Sequence, residues 1–246
     1  MKRLRSLAAG IERYFLPPYC VFCRRHFVPR DAWLNTALKR AQICASCLSA
    51  LPRRSASQRV IATLDPRIEE SHPELAACAY PALVALEYSE GVAHAIRSLK
   101  FHERTAFAKP LGYLLHEALR QSQLCDGSEI LIPLPLHPKR LRERGYNQSL
   151  LLAQVVARLS GLTLETRSLR RVKATARQSE MPDVQARIGN LHEAFVVTQP
   201  ERIVGKRCIL LDDVLTSGAS LTSAYQVLEA AGASHILGLC IASGRR

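Results

Sequence analysis

The stretch CILLDDVLTSGASLTSAYQVLEAAG, residues 208–232, decides the reading of the fold. An apolar run leads into two adjacent carboxylates, Asp212 and Asp213, then a turn of small hydroxylated residues, then a helical pattern from about Ala219. An apolar run bounded by a turn reads as a fully buried strand, and a strand passing through such a turn into a helix belongs to a parallel sheet covered by helices. In open sheets of that kind ligands bind beyond the carboxyl ends of the strands. The backbone N–H groups of the turn, the hydroxyls of Thr216, Ser217 and Ser220, and the positive end of a helix opening at Ala219 together make a phosphate cradle. Gly218 lets the backbone approach closely. Two carboxylates ahead of a phosphate cup suit a sugar phosphate, whose vicinal hydroxyls they can accept from. The plain alternative is a generic strand-turn-helix with an N-cap serine and two unrelated aspartates. No Gly-Lys-Ser/Thr follows a glycine loop, so a Walker A site is excluded, and there is no dinucleotide fingerprint.

The rest of the chain fits the same architecture. The patterns predict strands near 78–88, 129–133, 164–170, 194–197, 207–212 and 234–241, and helices near 91–99, 106–123, 146–159, 182–190 and 219–231. In the second helix Leu111, Leu114, Leu115, Ala118 and Leu119 share one face. The expectation is an α/β fold, a mostly parallel sheet flanked by helices over 77–246, preceded by a basic cysteine-containing region over 1–60 and a polar connector over 61–76.

The chain has 246 residues, of which 48% are hydrophobic, ample for a buried core. No uncharged stretch approaches the roughly 20 apolar residues of a membrane span. The start, MKRLRSLAAGIERYF, has too short an apolar segment for a secretory signal, so a cytoplasmic protein is expected. Leu4, Leu7, Ala8, Ile11 and Phe15 fall at helical spacing, a short basic helix that either docks on its own domain or makes a peripheral membrane or partner contact. The formal net charge is +13, and residues 1–60 carry 12 Lys/Arg against 2 Asp/Glu. An acidic partner such as nucleic acid is compatible with that excess, as is a merely solvated surface.

Cys20, Cys23, Cys44 and Cys47 form two CxxC pairs with 20 residues between them, a spacing that reads as a closed, structural four-thiolate Zn²⁺ site. Disulfides are the rival reading, opposed by the absence of an export signal. Cys208 and Cys240 stand in apolar strands and read as inert buried thiols.

LLDDVLTSGAS resembles the phosphoribosyl pyrophosphate (PRPP) loop of type I phosphoribosyltransferases. IPLPLHPKRLRERGYNQSLLLA (132–153), LKFHER (99–104), ARQSEMPDVQARIGNLHEAF (176–195) and the paired CxxC knuckles are together similar to the ComF family of competence and DNA-utilisation proteins, over nearly the whole chain. The resemblance implies a zinc-finger-like amino end on a phosphoribosyltransferase fold and a link to DNA uptake. It also implies PRPP binding by Asp212, Asp213, Thr216, Ser217, Gly218, Ala219 and Ser220, with Mg²⁺ bridging pyrophosphate and ribose oxygens.

The residues alone make chemical sense of those stretches. A ligand with a 5′-phosphate and a pyrophosphate needs a second, cationic wall. The turn after strand 129–133 offers Lys139, Arg140, Arg142 and Arg144, and Arg144, Asn147 and Gln148 have the geometry to bind phosphate or base edges. The polar segment between 170 and 194 reads as a lid that would bring Arg177, Gln178 and Arg187 over the ligand, or as a plain surface loop. Lys100 and His102 either touch ligand or cap the sheet. His137 reads as structural. With no Ser/His/Asp or Cys/His arrangement, catalysis would rest on positioning and charge neutralisation.

Three readings follow. One is a phosphoribosyltransferase with an unknown acceptor. Another is a PRPP-binding module that handles single-stranded DNA during uptake or utilisation, the reading preferred on sequence grounds. The third is a scaffold whose zinc knuckles dock a helicase-like ATPase.

Overall fold

The computed structural model of the chain describes residues 19–26, 42–54, 60–62, 80–101, 105–173 and 194–243. Its strands are β1 (Val60–Ala62), β2 (Pro81–Glu87), β3 (Ile130–Pro133), β4 (Thr163–Leu164), β5 (Leu169–Arg171), β6 (Phe195–Val197), β7 (Arg207–Leu215) and β8 (His235–Ser243). The helices are α1 (Ala45–Ala50), α2 (Glu90–Phe101), α3 (Ala108–Ser122), α4 (Pro138–Arg144), α5 (Gln148–Ser160) and α6 (Ala219–Ala230). Six strands form one sheet in the order β1-β2-β8-β7-β3-β4, parallel except for the β1–β2 pair, while β5 and β6 form a separate antiparallel ribbon. The expected mostly parallel sheet flanked by helices is therefore present.

Both faces are covered because alternate residues of each strand serve opposite sides. On one side Ile209 and Leu211 of β7 join Leu131, Leu239 and Ile241 in a buried cluster with α2, α3 and α5, and the predicted face of α3 lies wholly within it. On the other, Cys208 and Leu210 join Val84, Ile132 and Cys240 under Leu221, Ala224, Tyr225 and Leu228 of α6. Helices α3 and α5 meet closely at Gly112, where a Cβ would stand 2.6 Å from Val155 Cβ.

The path of the chain creates a switch point. From β3 it moves outward through α4 and α5 to β4, whereas from β7 it moves the opposite way through α6 to β8. The connections after β3 and β7 thus diverge, leaving a crevice at the adjoining carboxyl ends of these two strands.

Four sequence expectations need correction. The strand expected over 207–212 continues to Leu215, held in register by Asp212↔Cys240, Val214↔Ala242 and Leu215↔Ser243, so the acids lie inside the strand. The region 164–170 is divided between β4 and β5, broken where buried Glu165 accepts the amides of Arg167 (2.6 Å) and Ser168 (3.1 Å). The turn expected after β3 contains a helix, α4, capped by His137, whose Nδ1 accepts from the Lys139 amide at 3.2 Å. Residues 61 and 62, read as the beginning of the connector, belong to β1. The amino-terminal basic helix, most of the connector, His102, the helix at 182–190 and the lid residues Arg177, Gln178 and Arg187 lie outside the described residues.

Candidate functional site

The site is built on the last residues of β7. Adjacent strand residues point to opposite sides, so the two acids have different surroundings. Asp213 is buried and forms an ion pair with Lys100 Nζ at 2.9 Å, from the final turn of α2. Burial works against the Lys100 ammonium, but the Asp213 charge, with a smaller contribution from Asp212, outweighs it and holds the lysine pKa above its ordinary value. Asp212 is half-buried; its Oδ1 accepts from Ser149 Oγ at 3.1 Å and from the Asp213 amide at 2.8 Å. Desolvation, reinforced by the neighbouring Asp213 charge, raises the Asp212 pKa to about 7, against the partial relief given by Lys100 and the two hydrogen bonds. Of the twin acids, one is neutralised by a lysine and the other is poised to take up or release a proton near neutrality.

The turn that follows is left open at the helix end. Gly218 occupies the N-cap of α6 in the left-handed region (φ 82°), and no side chain caps the helix. Its carbonyl accepts from Thr222 N at 2.9 Å, starting the helix. Ser217 Oγ is enclosed yet has no hydrogen-bond partner among the described residues. Thr216 is exposed, Gly218 and Ala219 are buried and Ser220 is half-buried. Uncapped first-turn amides beside an unpartnered hydroxyl are a set of donors suited to an anion.

Cations surround the acids. Arg144 donates to Gln148 Oε1 and lies over the exposed ring of Phe101, 5.3 Å from its centroid. Arg171 of β5 lies 5.2 Å from the Phe195 centroid. Burial lowers the pKa of both arginines, Arg140 adds repulsion to each, and Asp212 attracts both. Lys100 and Arg144 are thus electrostatic neighbours of both carboxylates, Arg171 is a neighbour of Asp212, and Arg140 is a neighbour of the two arginines. Asn147 caps α5 by accepting from Ser149 N at 3.0 Å and donates to the Leu134 carbonyl at 3.0 Å. Gln148 is buried against Arg144, and Lys139 is exposed on α4. Tyr146 donates its hydroxyl to the Leu99 carbonyl, tying the loop after α4 to the end of α2.

Of the residues that meet here, the sequence reading names the acids, the turn and Arg144, and it leaves Lys100 between two roles. It missed Ser149 and Arg171. Ser149 lies in the 132–153 stretch, directly after Gln148, whereas nothing local distinguishes Arg171 from its basic neighbours.

The second candidate centre is the four-cysteine knuckle. The Sγ atoms of Cys20, Cys23, Cys44 and Cys47 all lie within 4.8 Å of one another, and Cys23 and Cys44 are 3.8 Å apart. A tetrahedral Zn–S₄ centre with bonds of about 2.3 Å has S···S edges of about 3.8 Å, so these residues fit a metal ion such as zinc. Disulfide separations would be near 2 Å. The amides of Cys44 and Cys47 approach Cys20 Sγ and Cys44 Sγ at 3.4 Å, and the first knuckle closes through Cys20 N to Arg25 O at 2.9 Å. Although burial opposes ionisation, hydrogen bonds from the Arg25 amide and the adjacent thiols bring Cys23 down to about 6. Burial, reinforced by the three neighbouring thiols, raises Cys47. Cys208 is buried and pushed up to about 11 by desolvation, in keeping with an inert thiol.

An α/β protein with paired acids and an uncapped helix start at a sheet switch point, together with a four-thiol knuckle, is the class that fold and sites define. No family model matches the chain. The DNA utilization protein YhgH of Salmonella typhimurium is 28% identical over 228 residues, 87% of this chain and 97% of that protein. Competence protein F of Haemophilus influenzae is 30% identical over 153 residues, 61% of this chain and 66% of that protein. Among solved structures, the glutamine PRPP amidotransferase of B. subtilis complexed with ADP and GMP matches with a TM-score of 0.39 at 15% identity, over 58% of this chain and 30% of that one. The chain belongs to the ComF family, that of the competence protein F and YhgH relatives. No helix among the described residues is long and apolar enough to cross a membrane.

Proposed function

We propose that the carboxyl end of β7 binds PRPP and that the protein uses this site while handling single-stranded DNA in uptake or utilisation. The observation that carries the reading is the uncapped start of α6, with Ser217 Oγ unpartnered, directly after a half-buried acid that retains acceptor capacity. In this reading Thr216–Ser220 cradle the 5′-phosphate, Asp212 accepts from the ribose diol, and Lys100 pairs with Asp213. Lys139, Arg140 and Arg144 meet the pyrophosphate, with Mg²⁺ screening its charge. Gln148 holds Arg144. Zinc in the knuckle is structural, and the function of the relatives named for DNA utilization and competence supports the DNA role.

The cluster Arg140, Arg144 and Arg171 also favours a second reading, displacement of pyrophosphate from PRPP onto an acceptor, because guanidinium groups gathered around the acids would stabilise the leaving group.

Calorimetric titration with PRPP tests the site. Binding should require Mg²⁺ and weaken at least tenfold in Asp212→Asn; unchanged affinity in that variant would remove the assignment. Binding of a single-stranded oligonucleotide should fall steeply between low and moderate salt. An affinity indifferent to salt would refute a phosphate-contacting role, and pyrophosphate release with an added acceptor would favour the transferase.

A further inference from the structure

Helix α2 touches both centres. At its beginning, Phe22 of the first knuckle lies against Gly91, where a Cβ would stand 3.9 Å from Phe22 Cδ1. One turn on, the Arg24 guanidinium lies against the His94 ring, one terminal nitrogen 2.7 Å from Nδ1 and Nε 3.1 Å from Nε2; a neutral imidazole has one acceptor nitrogen, so one of these two approaches is the hydrogen bond and the other a contact. Ser98 Oγ is 3.3 Å from the same Nε2, and the imidazole meets Phe107 edge-on. Beneath these contacts Cys20, Val21 and Ile43 share a buried apolar cluster with Val92, Ile96 and Leu99. At its other end, three successive residues attach to the anion site. The Leu99 carbonyl accepts from Tyr146, Lys100 pairs with Asp213, and Phe101 lies under Arg144.

We infer that α2 couples the four-cysteine knuckle to the twin acids, with Arg24 and His94 as positioning residues whose contact fixes where Lys100 meets Asp213. Arg24 follows Cys23 directly, so the metal that orders the knuckle also orders the guanidinium. Its φ of 60° shows that the knuckle holds it in a conformation uncommon for a non-glycine residue. From His94 to Lys100 the helix spans about 9 Å, short enough to carry the restraint as a rigid element. Lys100 then decides how far Asp213 is withdrawn and how much charge Asp212 feels. Neither Arg24 nor His94 needs to touch ligand. Removing the metal or the Arg24–His94 contact should loosen the acid site from a distance.

This rests on the PRPP reading only for its affinity arm. The protein to use is the full zinc-loaded chain bearing His94→Ala, which leaves all four cysteines in place. Amide hydrogen exchange at residues 97–101 should accelerate about tenfold, while α5 peptides keep wild-type rates. The PRPP–Mg²⁺ dissociation constant should rise about tenfold, within the usual range of coupling between sites. In a Lys100→Gln background the same substitution should have no further effect on affinity, since the path is already cut. Unchanged exchange at 97–101 overturns the inference, as does acceleration spread equally over α5, which would mark a merely structural histidine. Additive losses in the double variant overturn it too. If wild-type protein bound no PRPP, the proposed function would fail, whereas the exchange measurement would still decide the coupling.

Discussion

The knuckle and the carboxyl edge of β7 each gather like-charged groups, but they manage the repulsion differently. In the knuckle four thiols crowd within 4.8 Å with no protein cation among the ligating atoms, so their compatibility depends on an ion from outside. At the acid site the chain supplies its own counter-charge, Lys100 at 2.9 Å from Asp213, and leaves a second acid and a helix end unfinished. One centre has the donor set of a structural metal site, and the other keeps an acceptor and a helix end unsatisfied.

That contrast can be broken in several places. The largest effect should come from Cys23→Ser. Structural zinc sites bind with about 10–16 kcal/mol of apparent free energy, and removing one thiolate should bring metal content close to zero. One zinc per chain retained in the variant, by elemental analysis, would dispose of a four-thiolate centre.

Next comes Lys100→Met. It strands a nearly inaccessible carboxylate, and with the lysine side chain 25% exposed the cost should be about 3 kcal/mol in denaturant unfolding. Adding Asp213→Asn should restore most of that. No recovery would mean the lysine is held for another reason.

The third effect depends on pH. Because Asp212 is raised to about 7 in the folded chain, it keeps its proton where the unfolded chain has already lost it. The acid therefore costs nothing below about pH 4, and its penalty grows as pH rises towards 7 and then levels off. Without ligand, Asp212→Asn should stabilise the protein by about 1–2 kcal/mol at pH 8, with the gain shrinking steadily towards pH 4. A gain independent of pH would show that the acid is not titrating there.

The smallest is Gly218→Ala, which forces a side chain into the left-handed region and should cost about 1 kcal/mol of stability, with a larger loss of PRPP affinity if the turn is the cup.

The two centres were also unequally legible in sequence. Each half of the knuckle is a local device, two thiols three residues apart, so the spacing announced it. The turn at 216–220 was readable for the same reason, being contiguous. What the acids touch was hidden, since Lys100 and Ser149 reach them only through packing of α2 and α5 around the carboxyl end of β7. The carboxyl end of β7 was misjudged because aspartates disfavour strands, yet pairing with β8 through Ser243 overrides that preference. Helix α4, PKRLRER, has no buried residue and hence no apolar stripe to read, although His137 and the proline at its first turn were visible start signals. The break at Glu165 depends on its bonding to Arg202 Nη1 at 3.0 Å, a partner no local pattern identifies.

The six-stranded sheet finishes in very short strands on both sides, three residues in β1 and two in β4. A long bare margin would invite another molecule to add a strand and go on adding them. With so little unpaired backbone at either rim of the described sheet, copies of this protein have little through which to zip together.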